Sequence, residues 1–579
     1  MKFTKLILLS GLFASLLLAG SCKKYSEDEE TEEDDEETVV DEETGNESSH
    51  EESGDYTWDG ASATGIILNT TSITVSGSGA SASGTTATIS AAGTYLVSGT
   101  LTNGKLIVDT EDADAVKVVL NGATITCSDY APISVASAEK VIVILADGTT
   151  NTLTDGSSYT LASGEDEPNA ALFSKADLSV SGNGSLVIDA NYNDGIASKD
   201  GLIIASGTIS INAVDDGIRG KDYLIVESGT IGITAGGDGL KSDNDEDDTK
   251  GYISVVSGTI TVTSTNDALQ AETDLLIADG TFKLTSGGGS SKTVSSTESA
   301  KALKSGVTTV IDGGTFTISA ADDAIHTDGE ATINSGTFAI STADDAIHAE
   351  STANVNGGTI TISKCYEGIE SATINITDGD ITITSSDDAI NASKGSGGES
   401  NDGSLLKISG GYLAMYCTGD GLDSNGSITV TGGTIIEHGP TSSPEVAMDY
   451  NGTCLFNGGT IALASINSSM NQTPSTTSTQ NTVQIRFSSS QSANSIFRIQ
   501  DASGNEIVTL KPSKTYSAIT FSSSGLAKGS TYYVYTGGSY SGGTSTGGLL
   551  SGGTYSGGTQ YTNFSVSSSV TTVGTASGR

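Results

Sequence analysis

The sequence predicts an all-β chain wound into a parallel β-helix of about 22 residues per coil, followed by a small C-terminal β unit. Three observations predict this fold. An acidic step recurs at near-constant spacing: Asp215-Asp216-Gly217-Ile218, Gly237-Asp238-Gly239-Leu240, Asp322-Asp323-Ala324-Ile325, Asp344-Asp345-Ala346-Ile347, Tyr366-Glu367-Gly368-Ile369 and Asp387-Asp388-Ala389-Ile390. Before it stands a run with period-2 alternation, as in Gly207-Thr208-Ile209-Ser210-Ile211 and Gly314-Thr315-Phe316-Thr317-Ile318, which marks a strand with one buried face. The unit is too short to bury that face alone, so successive units must stack.

The elements follow in chain order. Residues 1–21 place Lys2 and Lys5 before the apolar run Leu6 to Leu18 and end in Ala19-Gly20-Ser21 before Cys22. That is the layout of a signal peptide. It resembles the lipobox of bacterial lipoproteins, although Ala19 stands where Leu is more usual. The resemblance implies cleavage before Cys22, lipidation of that cysteine, and an exported protein lipid-anchored to the cell membrane or outer membrane and displayed at the surface. Residues 22–58 form an acidic tether. From Glu27 to Asp55 lie 17 of the chain's 71 acids with almost nothing apolar, a composition that does not offset the entropy of ordering.

The β-helix domain occupies 59–468, with regular coils from about 90 to 465. The second acid of each step runs Asp194, Asp216, Asp238, Asp267, Lys301, Asp323, Asp345, Glu367, Asp388, Asp420. Longer steps coincide with the acidic run 243–248, the Gly/Ser run 287–298 and residues 394–402, and insertions of this kind loop out of a solenoid without breaking the stack. A second short strand such as Tyr223-Leu224-Ile225-Val226 follows the acidic step; the pattern leaves a third strand per coil open. At one inter-strand spacing of about 4.8 Å per coil, about 14 or 15 coils make a rod of roughly 70 Å. Residues 469–579 read as a polar linker, a few alternating strands that close the rod, and a Gly/Ser-rich tail.

Equivalent side chains on neighbouring coils sit about one strand spacing apart. Two bare carboxylates there repel by about 3 kcal/mol at an effective dielectric of 20, so the acids Asp194, Asp215, Asp216, Asp238, Asp267, Asp322, Asp323, Asp344, Asp345, Glu367, Asp387, Asp388 and Asp420 require neutralisation, protonation or hydrogen bonding. Calcium fits the first role, because it accepts six to eight oxygens in flexible geometry. Turn chemistry is the other reading, since an Asp side chain caps nearby backbone N–H groups.

Three residues past the second acid runs a mixed column: Arg219, Lys241, Gln270, Lys304, His326, His348, Glu370, Asn391, Asp423. It reads as a solvated stripe, with His326 and His348 one coil apart and so able to share zinc. Tyr192, Tyr223, Tyr252, Tyr366, Tyr412 and Tyr416 fall at corners or strand starts, where a ring could serve either as an amphipathic rim or as a sugar platform. Cys127, Cys365, Cys417 and Cys454 show no paired spacing and read as small buried residues. A net charge of -45 excludes nucleic acid as a direct partner.

The repeat, the acid columns and the tail Thr531-Tyr532-Tyr533-Val534-Tyr535-Thr536-Gly537-Gly538 together resemble a bacterial family of exported carbohydrate-binding proteins related in shape to pectate lyases. The resemblance implies a right-handed parallel β-helix, several bound Ca2+ ions, and binding of polysaccharide of the cellulose or pectin kind. The sequence therefore predicts a monomeric, membrane-anchored rod that binds extracellular polysaccharide with calcium and without catalysis. A calcium-dependent pectate-type lyase, with a Lys or Arg as base, and a structural or adhesive surface rod are the alternatives.

Overall fold

The computed structural model describes residues 46, 50–295, 297–395 and 400–577. The expected signal peptide, Cys22 and most of the acidic tether lie outside the described residues. Among the described residues there are strands and turns and no helix, and the strands of the repeat form a parallel β-helix.

Each coil contributes three strands to three parallel sheets. The first sheet stacks Ser185–Ala190, Thr208–Ala213, Thr230–Ala235, Thr259–Ser264, Thr281–Ser286, Thr315–Ala320 and Thr337–Thr342 with like residues in register. The threonines that open its strands, such as Thr208, Thr230, Thr259, Thr281, Thr315 and Thr337, face solvent, while Ile209, Ile231, Ile260, Phe282, Phe316 and Phe338 point into the core. The strand left open by the sequence pattern is the second: Ile218–Gly220, Leu240–Ser242, Leu269–Ala271, Leu303–Ser305 and Ile325–Thr327, directly after each acidic step. Three residues are too few to display a period. The third sheet stacks Gly201–Ile204, Tyr223–Val226, Tyr252–Val255, Asp274–Ile277, Thr308–Ile311 and Glu330–Ile333.

The corner between the third and first sheets explains the Gly-Thr dipeptide. Gly229 has φ +116° and Gly314 has φ +102°, a region that L side chains rarely occupy. The insertions leave register intact, since Leu240 pairs with Leu269, Leu269 with Leu303 and Ile390 with Leu422.

Inside the rod, stacking of like on like produces a ladder of rings. Phe282, Phe316 and Phe338 lie nearly parallel, with centroids 4.6 Å apart at both steps, which is the coil repeat expressed as an aromatic column. Cys127, Cys365, Cys417 and Cys454 are unpaired and buried.

Both open ends are covered. Thr64–Thr70 lies parallel to Gly93–Leu101 and antiparallel to Ile73–Ser76. At the other end Tyr516–Ser522 runs antiparallel to both Thr460–Ser465 and Thr482–Gln491, so the direction of pairing changes where the first sheet stops and its last repeat strand is not left as an open edge. The Gly/Ser stretch after 537 is no featureless tail: Ser539–Ser541 pairs with Thr554–Ser556, and Thr544–Thr546 with Leu549–Ser551. Glycine and serine permit such tight hairpins without supplying an apolar alternation that would announce them.

The last part of the acidic stretch packs along the outer face of the third sheet. Asp55 is ion-paired with Lys140 at 2.6 Å, Lys117 Nζ donates to the carbonyls of Gly54 and Thr57, and the His50 ring stacks on Tyr223 at 3.8 Å. Tyr56 covers apolar side chains that point outward from that sheet, among them Val119, Ile142 and Ile203.

Truncating the centre of the ring ladder tests its weight. Phe316→Ala is expected to destabilise the rod by about 3–5 kcal/mol, read as a drop in the urea midpoint, and Phe316→Leu by less because it leaves a smaller cavity.

Candidate cation site along the acid columns

The strand between the first sheet and the three-residue strand turns a corner, and there the second acid takes over a backbone role. Its Oδ1 accepts the N–H of the equivalent residue one coil further on. The rungs run from Asp216 N to Asp194 (3.3 Å), Asp238 N to Asp216 (2.8 Å), Asp267 N to Asp238 (2.9 Å) and Lys301 N to Asp267 (2.7 Å). They resume from Asp345 N to Asp323 (3.1 Å), Glu367 N to Asp345 (2.9 Å), Asp420 N to Asp388 (2.5 Å) and Val446 N to Asp420 (2.6 Å). Where Lys301 supplies no carboxylate, Asp323 N turns to its own neighbour Asp322 at 3.0 Å. Glu367, one methylene longer, directs Oε1 to Asn391 at 3.2 Å. These acids thus cap backbone N–H groups of the next coil rather than of their own turn.

Each rung uses one oxygen and buries the other, so the remaining charge needs a partner. The column three residues further on supplies it. Arg219 reaches Asp194 at 3.2 Å, Lys241 reaches Asp238 at 2.7 Å and Asp216 at 3.4 Å, and Lys304 reaches Asp267 at 3.5 Å. Lys301 sits 2.7 Å from Asp322 and 3.3 Å from Asp323, and His326 Nδ1 is 2.8 Å from Asp323. The expectation of a solvated stripe is therefore corrected at Arg219, Lys241, Lys304 and His326. These side chains lean back over the corner and pair with acids of their own coil, as Lys241 with Asp238 and His326 with Asp323, or of the coil before, as Arg219 with Asp194 and Lys304 with Asp267.

Neutralisation stops towards the C-terminal end. From Glu370 onward the same column reads Glu370, Asn391, Asp423 and, by register, Asp449. Burial first, then neighbouring acids, push the carboxyl of Asp420 up to about 9, and burial likewise lifts Asp388 and Glu367 to about 8. Glu367 Oε2 is buried without a hydrogen-bond partner. Near the other end burial is again the largest cause, but Arg219 and Lys241 oppose it and the rise is smaller, to about 7 for Asp194 and about 6 for Asp216. Asp323 departs from the series. Burial opposes its ionisation, yet His326, His348 and Lys301 outweigh burial and hold its carboxyl below the usual carboxylate range.

Asp388, Asp420 and Glu445 bring carboxylate oxygens within 4.8 Å of one another, and so do Asp420, Asp423 and Asp449. Asp420 belongs to both groups, which makes a contiguous all-oxygen cluster able to hold a metal ion. Asp322, Asp323 and Asp344 also converge, with Lys301 already among them. The first acids differ in exposure, Asp215 and Asp344 facing solvent while Asp322 is buried and Asp387 half-buried. Glu445 and Asp449 lie outside the repeat motif and were not legible as ligands, because only the return of the chain after the corner brings them back to the column.

The tyrosine expectations divide. Tyr223 and Tyr252 are buried, Tyr223 beneath the ring of His50, and Tyr192 is one rung of a stack with Tyr159 and Tyr130. Tyr416 stacks on His438 and Tyr412 packs against the C-terminal unit. Of the six, Tyr366 offers a broadly exposed ring. On the acid face the insertions frame a shallow cleft of about 460 Å³, in which Asp238, Asp243, Asp267, Glu272 and Glu298 stand among Lys241, Lys304 and neutral polar side chains.

A carbohydrate-binding domain-containing protein family matches residues 83–346 and 354–443, most of the rod. The chain belongs to that family. A family member of the same description from Acetivibrio thermocellus is 38% identical over 122 residues, 21% of this chain and 43% of that protein; the match spans less than half of that relative. A polysaccharide lyase-like protein from C. thermocellum, solved as a gadolinium derivative, is 35% identical with a TM-score of 0.38 over 39% of this chain and 92% of its own.

The raised carboxyls fix the sign of a pH effect. A group whose pKa is higher folded than unfolded stabilises fully below its unfolded value, and that contribution is lost as pH rises through the folded value. For Asp216, Asp194, Glu367, Asp388 and Asp420 the window runs from about 4 up to about 9. With chelator present, thermal unfolding is expected at progressively lower temperature from about pH 5 to about pH 9. A flat or rising profile would show that the acids are not buried as described.

Proposed function

We propose that this protein is a non-catalytic, calcium-dependent binder of extracellular polysaccharide, held at the cell surface by a lipidated Cys22. Family membership supports the carbohydrate, and the signal-like residues 1–22 support the anchor. The observation that carries the calcium reading is the change along the second-acid column from internally neutralised coils to the oxygen-only cluster around Asp388, Asp420, Asp423, Glu445 and Asp449. Hard oxygen donors without a lysine or arginine in the cluster suit calcium, and the orphan Glu367 Oε2 one coil away adds a further acceptor.

For the sugar, the cleft beside the insertions combines amides and hydroxyls with five acids and two lysines that already pair with acids, groups that hydrogen-bond to the hydroxyls of a neutral glycan. The solvent-facing threonines of the first sheet extend a flat polar surface along the rod. Binding without cleavage is favoured by the state of the basic residues. Arg219, Lys241, Lys301 and Lys304 each serve a carboxylate, whereas a lyase base must be free to take a proton.

Titration calorimetry of residues 46–579 with polygalacturonate and with a neutral glucan, with calcium and after chelation, tests this reading. Expected are saturable heat with at least one polymer, its loss on chelation, and no rise in absorbance from unsaturated product. The double variant Asp388→Asn, Asp420→Asn is expected to weaken the calcium effect at least tenfold, while Asp216→Asn leaves it. Rising absorbance would make the protein a lyase, and absence of heat with both polymers would overturn polysaccharide binding for these classes. The anchor is checked separately: Cys22→Ala is expected to move the protein from the detergent phase to the aqueous phase of a cell extract.

A further inference from the structure

One cluster on the rod differs in chemistry from the oxygen-only groups. Asp323, His326 and His348 present one ligand atom each within 4.8 Å of the others. His326 and His348 are register partners on adjacent coils, and both turn Nδ1 toward the same carboxylate oxygen. His326 Nδ1 lies 2.8 Å from Asp323 Oδ2 and His348 Nδ1 lies 3.7 Å from it, while Asp345 Oδ2 is 3.9 Å from His348 Nδ1. Bonds of about 2.0–2.1 Å to a tetrahedral zinc ion place its donors about 3.3 Å apart, which these separations bracket.

A second, independent observation concerns the far side of each ring. His326 Nε2 is 3.1 Å from Asp328 Oδ1, and His348 Nε2 is 3.8 Å from Glu350 and 3.7 Å from Glu370. Metal-bound imidazoles ordinarily give their other ring N–H to a carboxylate, which fixes the tautomer and raises the basicity of the ligating nitrogen. His326 makes this hydrogen bond to Asp328, and His348 on the next coil turns its outer nitrogen toward Glu350 and Glu370 at ion-pair distance.

We propose that Asp323, His326 and His348, with Asp345 as the fourth donor, form a binding site for a borderline divalent transition metal of the zinc type, separate from the oxygen-only cluster near Asp420. Imidazole nitrogen with carboxylate selects zinc and its neighbours over calcium. Lys301 is the competing cation, 3.3 Å from Asp323; it stays on Asp322 at 2.7 Å when a metal takes Asp323 Oδ2. Asp323 Oδ1 remains on the N–H of Asp345, so the rung between coils persists with metal bound. The site is partly open, His348 being 23% exposed and His326 12% exposed, which leaves a path for entry.

The test uses the full-length protein, stripped of metal and held in excess calcium. Zinc titrated calorimetrically is expected to bind with one equivalent that calcium does not displace. Cobalt added to the unmutated protein is expected to develop the intense visible bands of tetrahedral coordination, a readout that depends on no variant. His326→Gln and His348→Gln are each expected to weaken zinc binding at least about 100-fold, and Asp328→Asn by about tenfold as an outer partner. Asp420→Asn should leave zinc binding unchanged. Circular dichroism confirms folding of each variant. The proposal fails if zinc does not bind in calcium, if cobalt stays octahedral and pale, or if both histidine variants bind zinc as the parent does.

Discussion

Everything in this rod depends on identical positions lying one strand spacing apart, so that each residue meets its own kind. For apolar residues the constraint is favourable, as in the parallel rings of Phe282, Phe316 and Phe338. For carboxylates it is unfavourable by default. In the early coils the acid column persists because each second acid does two things at once. One oxygen replaces a carbonyl in the inter-coil ladder, and the other is matched by a cation of the adjoining column, from the same coil at Asp238 and from the next coil at Asp194 and Asp267. Removing either half leaves a buried group without a partner, so rung and counter-charge are one interaction.

The same rule explains why the rod has chemically distinct segments. The ladder of rungs needs a carboxylate nearly everywhere, but the column above it is free to vary. Arginine and lysine make the early coils self-neutralised, histidines make a nitrogen-rich patch in the middle, and glutamate and aspartate leave the later coils short of positive charge. One backbone geometry therefore presents a graded series of ion environments along a single edge. The insertions emerge on the same edge and frame the cleft beside the self-neutralised coils. A long polar polymer laid along this face would meet several of these environments at once, which suits the family to which the chain belongs.

The two ends follow from the strand-edge problem. A parallel stack has no intrinsic stop, and an uncovered end invites another chain. Antiparallel pairing of Tyr516–Ser522 with both the last coil and Thr482–Gln491 terminates it. Along the flank, Tyr56 and His50 shield outward-facing apolar groups of the third sheet. That packing removes Tyr223 and Tyr252 from the set of accessible rings, a case in which a short segment far off in sequence decides the exposure of residues it does not resemble.

By itself the sequence determined the coil, its length, the two acid columns and the insertions, because a period of 22 and an alternation of two are local patterns that survive without knowledge of the partner. It also placed the column three residues on, down to the neighbouring His326 and His348, but not which acid each of its cations meets. Whether Lys241 points to water or to Asp238 depends on how tightly the chain turns its corner, which no residue type specifies. The three-residue strand was too short to show a period, and the hairpins after 537 had no apolar alternation to show. Glu445 and Asp449 reach Asp420 only through the path of the chain after the repeat, and the occlusion of Tyr223 only through the docking of residues 50–58. In each case tertiary structure decided what sequence left open, because burial, charge pairing and ligand convergence belong to groups brought together across coils, while periodicity belongs to the chain alone.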